Sequence, residues 1–308
     1  MTDASAHEHL DGYITGAGGG QVYWQSWEPA EPKGVVVIAH GLAEHSGRYA
    51  HVAKHLTEAG YAVAAGDHCG HGRSEGVKGN IERMVHVLDD LDAVLKAAVA
   101  RHLGLPVFLL GHSMGGLIAL DYVISRGEEH VDGLVLSAPA VDPSIGSPAE
   151  KLIARVLSGL LPNLPLTTLD SKAVSRDPAV VAAYESDPFN YLGKVRVRTG
   201  AEGLASVSRV AANLAKVTVP VFILQGSEDR LVKPVGAELV RDRVSSSDVT
   251  HKSYEGLYHE IFNEPEQDEV IGDVARWLDA HVSPTSAGSE LSDAPSETAT
   301  PARSDEAS

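Results

Sequence analysis

Apolar positions along this chain follow two alternating rhythms. Continuous runs of strand length occur at 34–40 (GVVVIAH), 61–65 (YAVAA), 107–110 (VFLL), 133–137 (GLVLS) and 219–226 (VPVFILQG). An unbroken apolar run reads as a strand covered on both faces. Between these runs the apolar residues take helical spacing: Val52, Leu56 and Ala59 in 49–59, and Val87, Leu91, Val94 and Leu95 in 84–102. LIALDYVI after Gly116 gives another helix. A helix at 234–244, a strand at 250–254 and a helix at 267–280 with Val270, Val274 and Trp277 inward close the series. Near the start, 12–14 and 21–27 flank GAGGG as an antiparallel hairpin. The alternation predicts an α/β chain with a doubly wound, mostly parallel, eight-stranded sheet.

Residues 141–217 break the rhythm. They contain helical patterns at 150–160, 178–184 and 203–214 but no run of buried strand. Such a segment between two strands of one sheet must project from its edge, which predicts a mainly helical cap over the carboxyl ends of the strands. The expected organisation is a flexible N-terminus at 1–10, a core at 11–140 and 218–282, the cap at 141–217 and a disordered tail at 283–308. The tail is rich in Ser, Pro, Ala and acid and has almost nothing to bury. Within the cap, SGLLPNLPLTTL at 158–169 is apolar yet carries Pro162 and Pro165, which disfavour a long helix. Its leucines, Leu161 and Leu164 among them, either pack the cap onto the core or form an exposed lip that takes up lipid at a membrane surface.

Composition narrows the partners. A net charge of -17 argues against nucleic acid, which calls for a basic face. The single cysteine, Cys69, excludes an intramolecular disulfide and a cysteine zinc cluster, and fits a reducing compartment. The start, MTDASAHEHLDGY, has no apolar signal region, and no apolar run reaches the roughly 18–20 residues of a spanning helix. The expectation is a cytoplasmic protein with peripheral membrane contact through the cap.

The chemistry centres on VFLLGHSMGG at 107–116. Gly-x-Ser-x-Gly between a strand and a helix is a nucleophile elbow, which presents Ser113 at the top of a sheet beside a helix N-terminus. A serine hydroxyl is a poor nucleophile at neutral pH. It needs a histidine to take its proton and a carboxylate to orient that histidine. With this elbow the chain order is Ser, acid, His. Asp229 in GSEDRLV follows a strand, and Glu228 is its rival one residue earlier. His259 in EGLYHEIFNEP occupies a strand-to-helix loop, whereas His251 begins a strand and His281 ends a helix. An oxyanion needs two N–H donors, assigned here to Met114 and to Leu42 in the loop after the strand at 34–40. Asp67, His68 and His71 are too loosely spaced for a metal site and read as loop hydrogen bonding. GAGGG joins antiparallel strands with no helix behind it and is not a phosphate loop. Neither metal nor cofactor is needed.

The motifs HGLAEHSGRYAHVA, GDHCGHGRSEG, GHSMGG, LVLSAPA, LQGSEDRLV and YHEIFNEPE together resemble the monoacylglycerol lipases over roughly residues 10–280, most closely the actinobacterial members. The resemblance implies an α/β-hydrolase fold, a triad of Ser113, Asp229 and His259, an oxyanion hole at Leu42 and Met114, and a mobile amphipathic cap that associates with membranes. It implies cleavage of monoacylglycerol to a fatty acid and glycerol. Lysophospholipid or broad-specificity carboxylester hydrolysis with the same machinery is the alternative. It also puts Glu44 and Arg48 near the glycerol end, where a mutual ion pair and substrate contact are both open. Phe262 stands where mammalian members carry an extra histidine. The oligomeric state is not legible.

Overall fold

The computed structural model describes residues 8–282 of the 308. The tail at 283–308 and most of the predicted flexible N-terminus lie outside them. Eight strands form one sheet: β1 (Glu8–Thr15), β2 (Gln21–Glu28), β3 (Gly34–Ala39), β4 (Tyr61–Gly66), β5 (Val107–His112), β6 (Gly133–Ser137), β7 (Val221–Gly226) and β8 (Val249–Tyr254). Their order is β1-β2-β4-β3-β5-β6-β7-β8. β1 and β2 are antiparallel to their neighbours, and the other pairings are parallel. The helices are α1 (Ala50–Glu58), α2 (Met84–Arg101), α3 (Met114–Arg126), α4 (Pro148–Leu160), α5 (Pro178–Ser186), α6 (Val197–Asn213), α7 (Val235–Arg243) and α8 (Gln267–His281).

The continuous apolar strands serve two cores. Val35 and Val37 face one side with Leu91 and Leu95 of α2 and Ile118 of α3. Val36 and Ile38 face the other with Val52 and Leu56 of α1 and Val270 and Val274 of α8. Each residue of β3 is buried, because successive side chains enter opposite layers that are both covered.

The strand order reverses at β3. Its connection through α1 leads outward to β4, while β5 lies on its other flank. Carboxyl ends at such a reversal diverge and leave a crevice. Ala39 pairs with Gly111 there, so the segments after β3 and β5 emerge side by side.

Two boundaries differ from the sequence reading by more than two residues. The flexible N-terminus, expected over 1–10, gives way to strand at Glu8, where Glu8, His9 and Leu10 pair with Glu28, Trp27 and Ser26. The His9 ring lies 5.3 Å from that of Trp27, and its Nε2 is 3.2 Å from Gln25 Oε1, so contacts to β2 override a polar local sequence. α6 starts at Val197 rather than at 203. Gly200 and Gly203 weaken the local helical signal, but buried Val197 and Thr199 anchor the first turn. Residues 142–217 contribute α4, α5 and α6 and a single isolated antiparallel bridge, Pro165 to Arg196.

Candidate active site

Ser113 sits between β5 and α3 with φ 54° and ψ −115°, a left-handed conformation that a non-glycine residue adopts only when its surroundings enforce it. Three main-chain hydrogen bonds do so: Ser113 N–H to Ser137 O (2.9 Å), Ala140 N–H to Ser113 O (3.1 Å) and Leu117 N–H to Ser113 O (3.2 Å). The turn is tight enough that a Cβ on Gly115 would stand 1.9 Å from Ala39 O. Glycine there lets α3 close against the end of β3, and so brings Ser113 beside the loop that carries Leu42.

Asp229 and His259 follow β7 and β8, which are neighbours in the sheet. A Cβ on Gly226 would collide with Leu257 O at 2.4 Å and Tyr258 O at 2.3 Å, so glycine admits the His259 loop onto the end of β7. His259 Nδ1–H donates to Asp229 Oδ2 at 2.7 Å. Gln225 Nε2 donates to the same oxygen (2.9 Å), and the N–H groups of Leu231 and Val232 donate to Oδ1 (2.8 and 2.9 Å). Burial works to raise the Asp229 pKa, but the bonds from His259, Val232 and Leu231 outweigh it and hold the carboxyl below its ordinary value. Asp229 is therefore an anion that fixes the imidazole with Nδ1 protonated, leaving the Nε2 lone pair free to accept a proton. Glu228 is exposed; its N–H donates to Leu257 O. His281 bonds Trp277 O and Asp248 at the far end of α8.

Ser113 and His259 line one cavity of about 470 Å³. Leu42 and Met114 line it too, and neither backbone N–H has a hydrogen-bond partner among the described residues. Both are thus available to an oxygen in the cavity. The cap supplies Leu166 and Leu169 to the wall. Leu161 and Leu164, expected to touch substrate, are not in the lining; they are 53% and 42% exposed on the outside. The reason is local: Leu164 N–H closes a turn onto Leu161 O, and the chain enters the wall only where Leu166 N–H reaches Val195 O.

Glu44 and Arg48 form the ion pair that the sequence left open, and a third member joins them. Arg48 Nη1 lies 2.8 Å from Glu44 Oε2 and 2.7 Å from Glu260 Oε1, and Nη2 lies 2.7 Å from Glu260 Oε2. Glu44 Oε1 also accepts the Gly41 N–H (2.6 Å) and the Tyr49 hydroxyl (2.7 Å). The loop bearing Leu42 is thereby tied to the loop bearing His259. Burial pushes the Glu44 pKa up, whereas Arg48 pulls Glu260 below its ordinary value against the same desolvation. Glu44 and Glu260 line the cavity; Arg48 stands behind them. Sequence reasoning missed Glu260 because its partner is 212 residues away.

Buried histidines support this layer. His40 Nδ1–H donates to Gly41 O (2.7 Å), and its Nε2 accepts the His68 N–H (2.9 Å). His68 Nε2 lies 3.1 Å from His40 O, and His71 Nδ1 lies 3.2 Å from Cys69 O. His40 and His68 thus tie the loop after β3 to the loop after β4, and His71 bonds within the latter; for His68 and His71 this is the loop hydrogen bonding expected from sequence. His112, which it passed over, lies with its ring 4.6 Å from that of His259 and is bonded to Ser137 Oγ. Burial and the neighbouring His259 lower its pKa to about 3, so it is neutral beside His259.

This sheet, with serine on the elbow and an aspartate–histidine pair at the same edge, defines the α/β-hydrolase class. The sequence matches the family described as serine aminopeptidase, S33 (Hydrolase_4) over residues 30–266. It is 41% identical to the monoacylglycerol lipase of Mycolicibacterium smegmatis over 92% of this chain and 100% of that protein. Identity to the Homo sapiens monoglyceride lipase is 40%, over 86% of this chain and 89% of the relative. The crystal structure of the Paleococcus ferrophilus monoacylglycerol lipase superposes with a TM-score of 0.76 at 31% identity, covering 84% of this chain and 99% of that one. The chain belongs to the monoacylglycerol lipase family of serine hydrolases.

Proposed function

We propose that this enzyme hydrolyses the ester of a monoacylglycerol through an acyl-enzyme. The observation that carries this reading is the cavity itself. It is walled mostly by apolar residues and opens on Ser113 and His259. Its charged lining residues are the acids Glu44, Asp142 and Glu260, with no lysine or arginine in the lining among the described residues. An acyl chain fits such walls, and an uncharged glycerol can donate its hydroxyls to the carboxylates. The phosphate of a lysophospholipid would meet anions, which disfavours that alternative.

In this reading Ser113 Oγ attacks the ester carbonyl while His259 Nε2 takes its proton. Asp229 stabilises the imidazolium. The N–H groups of Leu42 and Met114 receive the oxyanion. Collapse expels glycerol, which takes the proton from His259. Water then attacks the acyl-enzyme, giving its proton to His259 and releasing fatty acid and free Ser113. Residues 141–217 act as the cap over a core of 11–140 and 218–282. The exposed Leu160, Leu161 and Leu164 form a lip through which a single-chain lipid passes from a membrane surface. Among the described residues no helix is long and apolar enough to cross a membrane, so such contact is peripheral.

The test compares kcat/KM on monoacyl-, diacyl- and triacylglycerols, lysophosphatidylcholine and short nitrophenyl esters. Monoacylglycerol should lead, and a higher rate on lysophosphatidylcholine would overturn the reading. Ser113→Ala should abolish both turnover and labelling by a fluorophosphonate.

A further inference from the structure

The cap carries a charge pattern opposite to that of the whole molecule. Residues 151–169 and 194–201 hold five cations, Lys151, Arg155, Lys194, Arg196 and Arg198, and no acid, although the chain has 42 acidic residues and a net charge of -17. The fold makes the two segments neighbours. The Pro165–Arg196 bridge joins them, and Arg198 N–H donates to Pro162 O at 3.1 Å. Lys151 and Arg155 of α4 and Arg198 of α6 line a cleft of about 690 Å³ on the outside of the cap; Glu202, whose carboxylate accepts the Met84 N–H at 2.8 Å, is the one acid in its wall among the described residues.

These cations are mostly unspent. Lys151 Nζ bonds Pro143 O. Arg155, Lys194, Arg196 and Arg198 make no ion pair among the described residues, and the buried Nε atoms of Arg196 and Arg198 have no hydrogen-bond partner. Such an arrangement costs stability through mutual repulsion and returns none in the free protein. The same α4 exposes Leu152, Ile153, Val156 and Leu160, and Leu161 and Leu164 follow directly. A helix with exposed apolar residues beside exposed basic ones is built for the boundary between acyl chains and phosphates.

We infer that the cleft between α4 and α6 receives the phosphate of an anionic phospholipid, so that the enzyme docks selectively on negatively charged bilayers. This rests on the membrane-lip reading above and adds charge selectivity to it. Without local cations a chain this acidic would be repelled from an anionic surface. Each cation held near such a surface strengthens binding roughly fivefold, within a Debye length of about 10 Å at 0.1 M salt.

The experiment measures sedimentation of the full chain with vesicles of phosphatidylcholine alone and with added phosphatidylglycerol, at low and high salt. Expected is binding on the order of tenfold or more tighter to the anionic vesicles, with the gain lost in high salt. Arg155→Gln with Arg198→Gln should remove most of that gain. Lys151→Gln with Arg155→Gln, confined to the outer face of α4, should also reduce it if Arg198 is needed for folding. Both variants should keep hydrolysis of a soluble short ester and binding to phosphatidylcholine. Equal binding to the two vesicles would overturn the inference and leave the leucine lip standing. A preference for anionic vesicles that survives both variants would overturn the cleft assignment. Failure to bind either vesicle would overturn the lip as well.

Discussion

The elbow after β5 and the leucine loop after α4 treat their residues in opposite ways. At the elbow each group is committed: Ser113 is held in a left-handed conformation by three main-chain bonds, and Gly115 leaves no room for a methyl group. In the loop, Leu161 and Leu164 stand in water, and the buried Nε atoms of the nearby Arg196 and Arg198 have no hydrogen-bond partner among the described residues. Reaction geometry tolerates errors well below an ångström, so it must be built from packed elements. On the membrane reading proposed above, the loop would meet a fluid bilayer, which has no fixed partner geometry to match, and its side chains would stay unspent until the partner arrives.

The contrast predicts effects that shrink from the sheet edge outward. Asp229→Asn removes the anion that orients His259. It should lower kcat by about 10⁴-fold, the loss seen for a triad carboxylate in another fold, with the melting temperature moving little by comparison. A crippled Glu228→Gln beside a nearly normal Asp229→Asn would shift the assignment by one residue.

Acid should act next, on the buried histidines. Burial lowers the pKa of His68 to about 3, of His71 to about 4 and of His112 to about 3. Unfolded, each takes a proton near pH 6.5; folded, it does not until far lower pH. The unfolded state therefore binds more protons between about pH 6.5 and 4, and stability falls as pH drops through that window. The slope is up to about 1.4 kcal/mol per pH unit for each histidine. Thermal melts from pH 7.5 to 4 check this; a flat profile down to pH 5 would mean these rings are charged in the folded protein.

Arg48→Met comes third. It strands Glu44 and Glu260 in a buried site, where loss of one partner of an ion pair costs about 3–5 kcal/mol. Urea denaturation should show that loss, and kcat should fall with it because the two loops lose their tie. Smallest should be Leu161→Ser with Leu164→Ser. Both residues are exposed, so stability should change by less than about 0.5 kcal/mol, and a soluble ester should be cleaved normally. Hydrolysis of aggregated long-chain monoacylglycerol should drop on the order of tenfold, from the apolar area lost at the interface. Parallel loss of both activities with a lowered melting temperature would place these leucines among the packing residues.

Legibility in the sequence follows the same gradient. β6 matches its apolar run residue for residue, and β3, β4 and β7 lie within two residues of theirs, because double coverage writes itself as unbroken Val, Ile and Leu. Ser113, Asp229 and His259 were readable because each follows a strand in a recognisable turn. Glu260 was not, since an acid beside a histidine has no meaning until Arg48 is brought up from the other end of the chain. The early start of α6 was hidden by glycines whose low propensity is overridden by burial of Val197 and Thr199. The cationic cleft needed the Pro165–Arg196 bridge to join two segments that look unremarkable apart.

That bridge has a mechanical side. Leu166 N–H to Val195 O, Val195 N–H to Thr167 O and Val197 N–H to Leu164 O rivet the leucine loop to the first turn of α6. Thr199 and Gly200, on that same turn, form part of the cavity wall. Thr199 Oγ1 also accepts the Ile81 N–H at 2.9 Å, which gives the assembly a pivot on the core. Outer surface and inner wall thus belong to one hydrogen-bonded unit, so that on the proposed reading a displacement of the leucines would reach the acyl-chain cavity within a few residues.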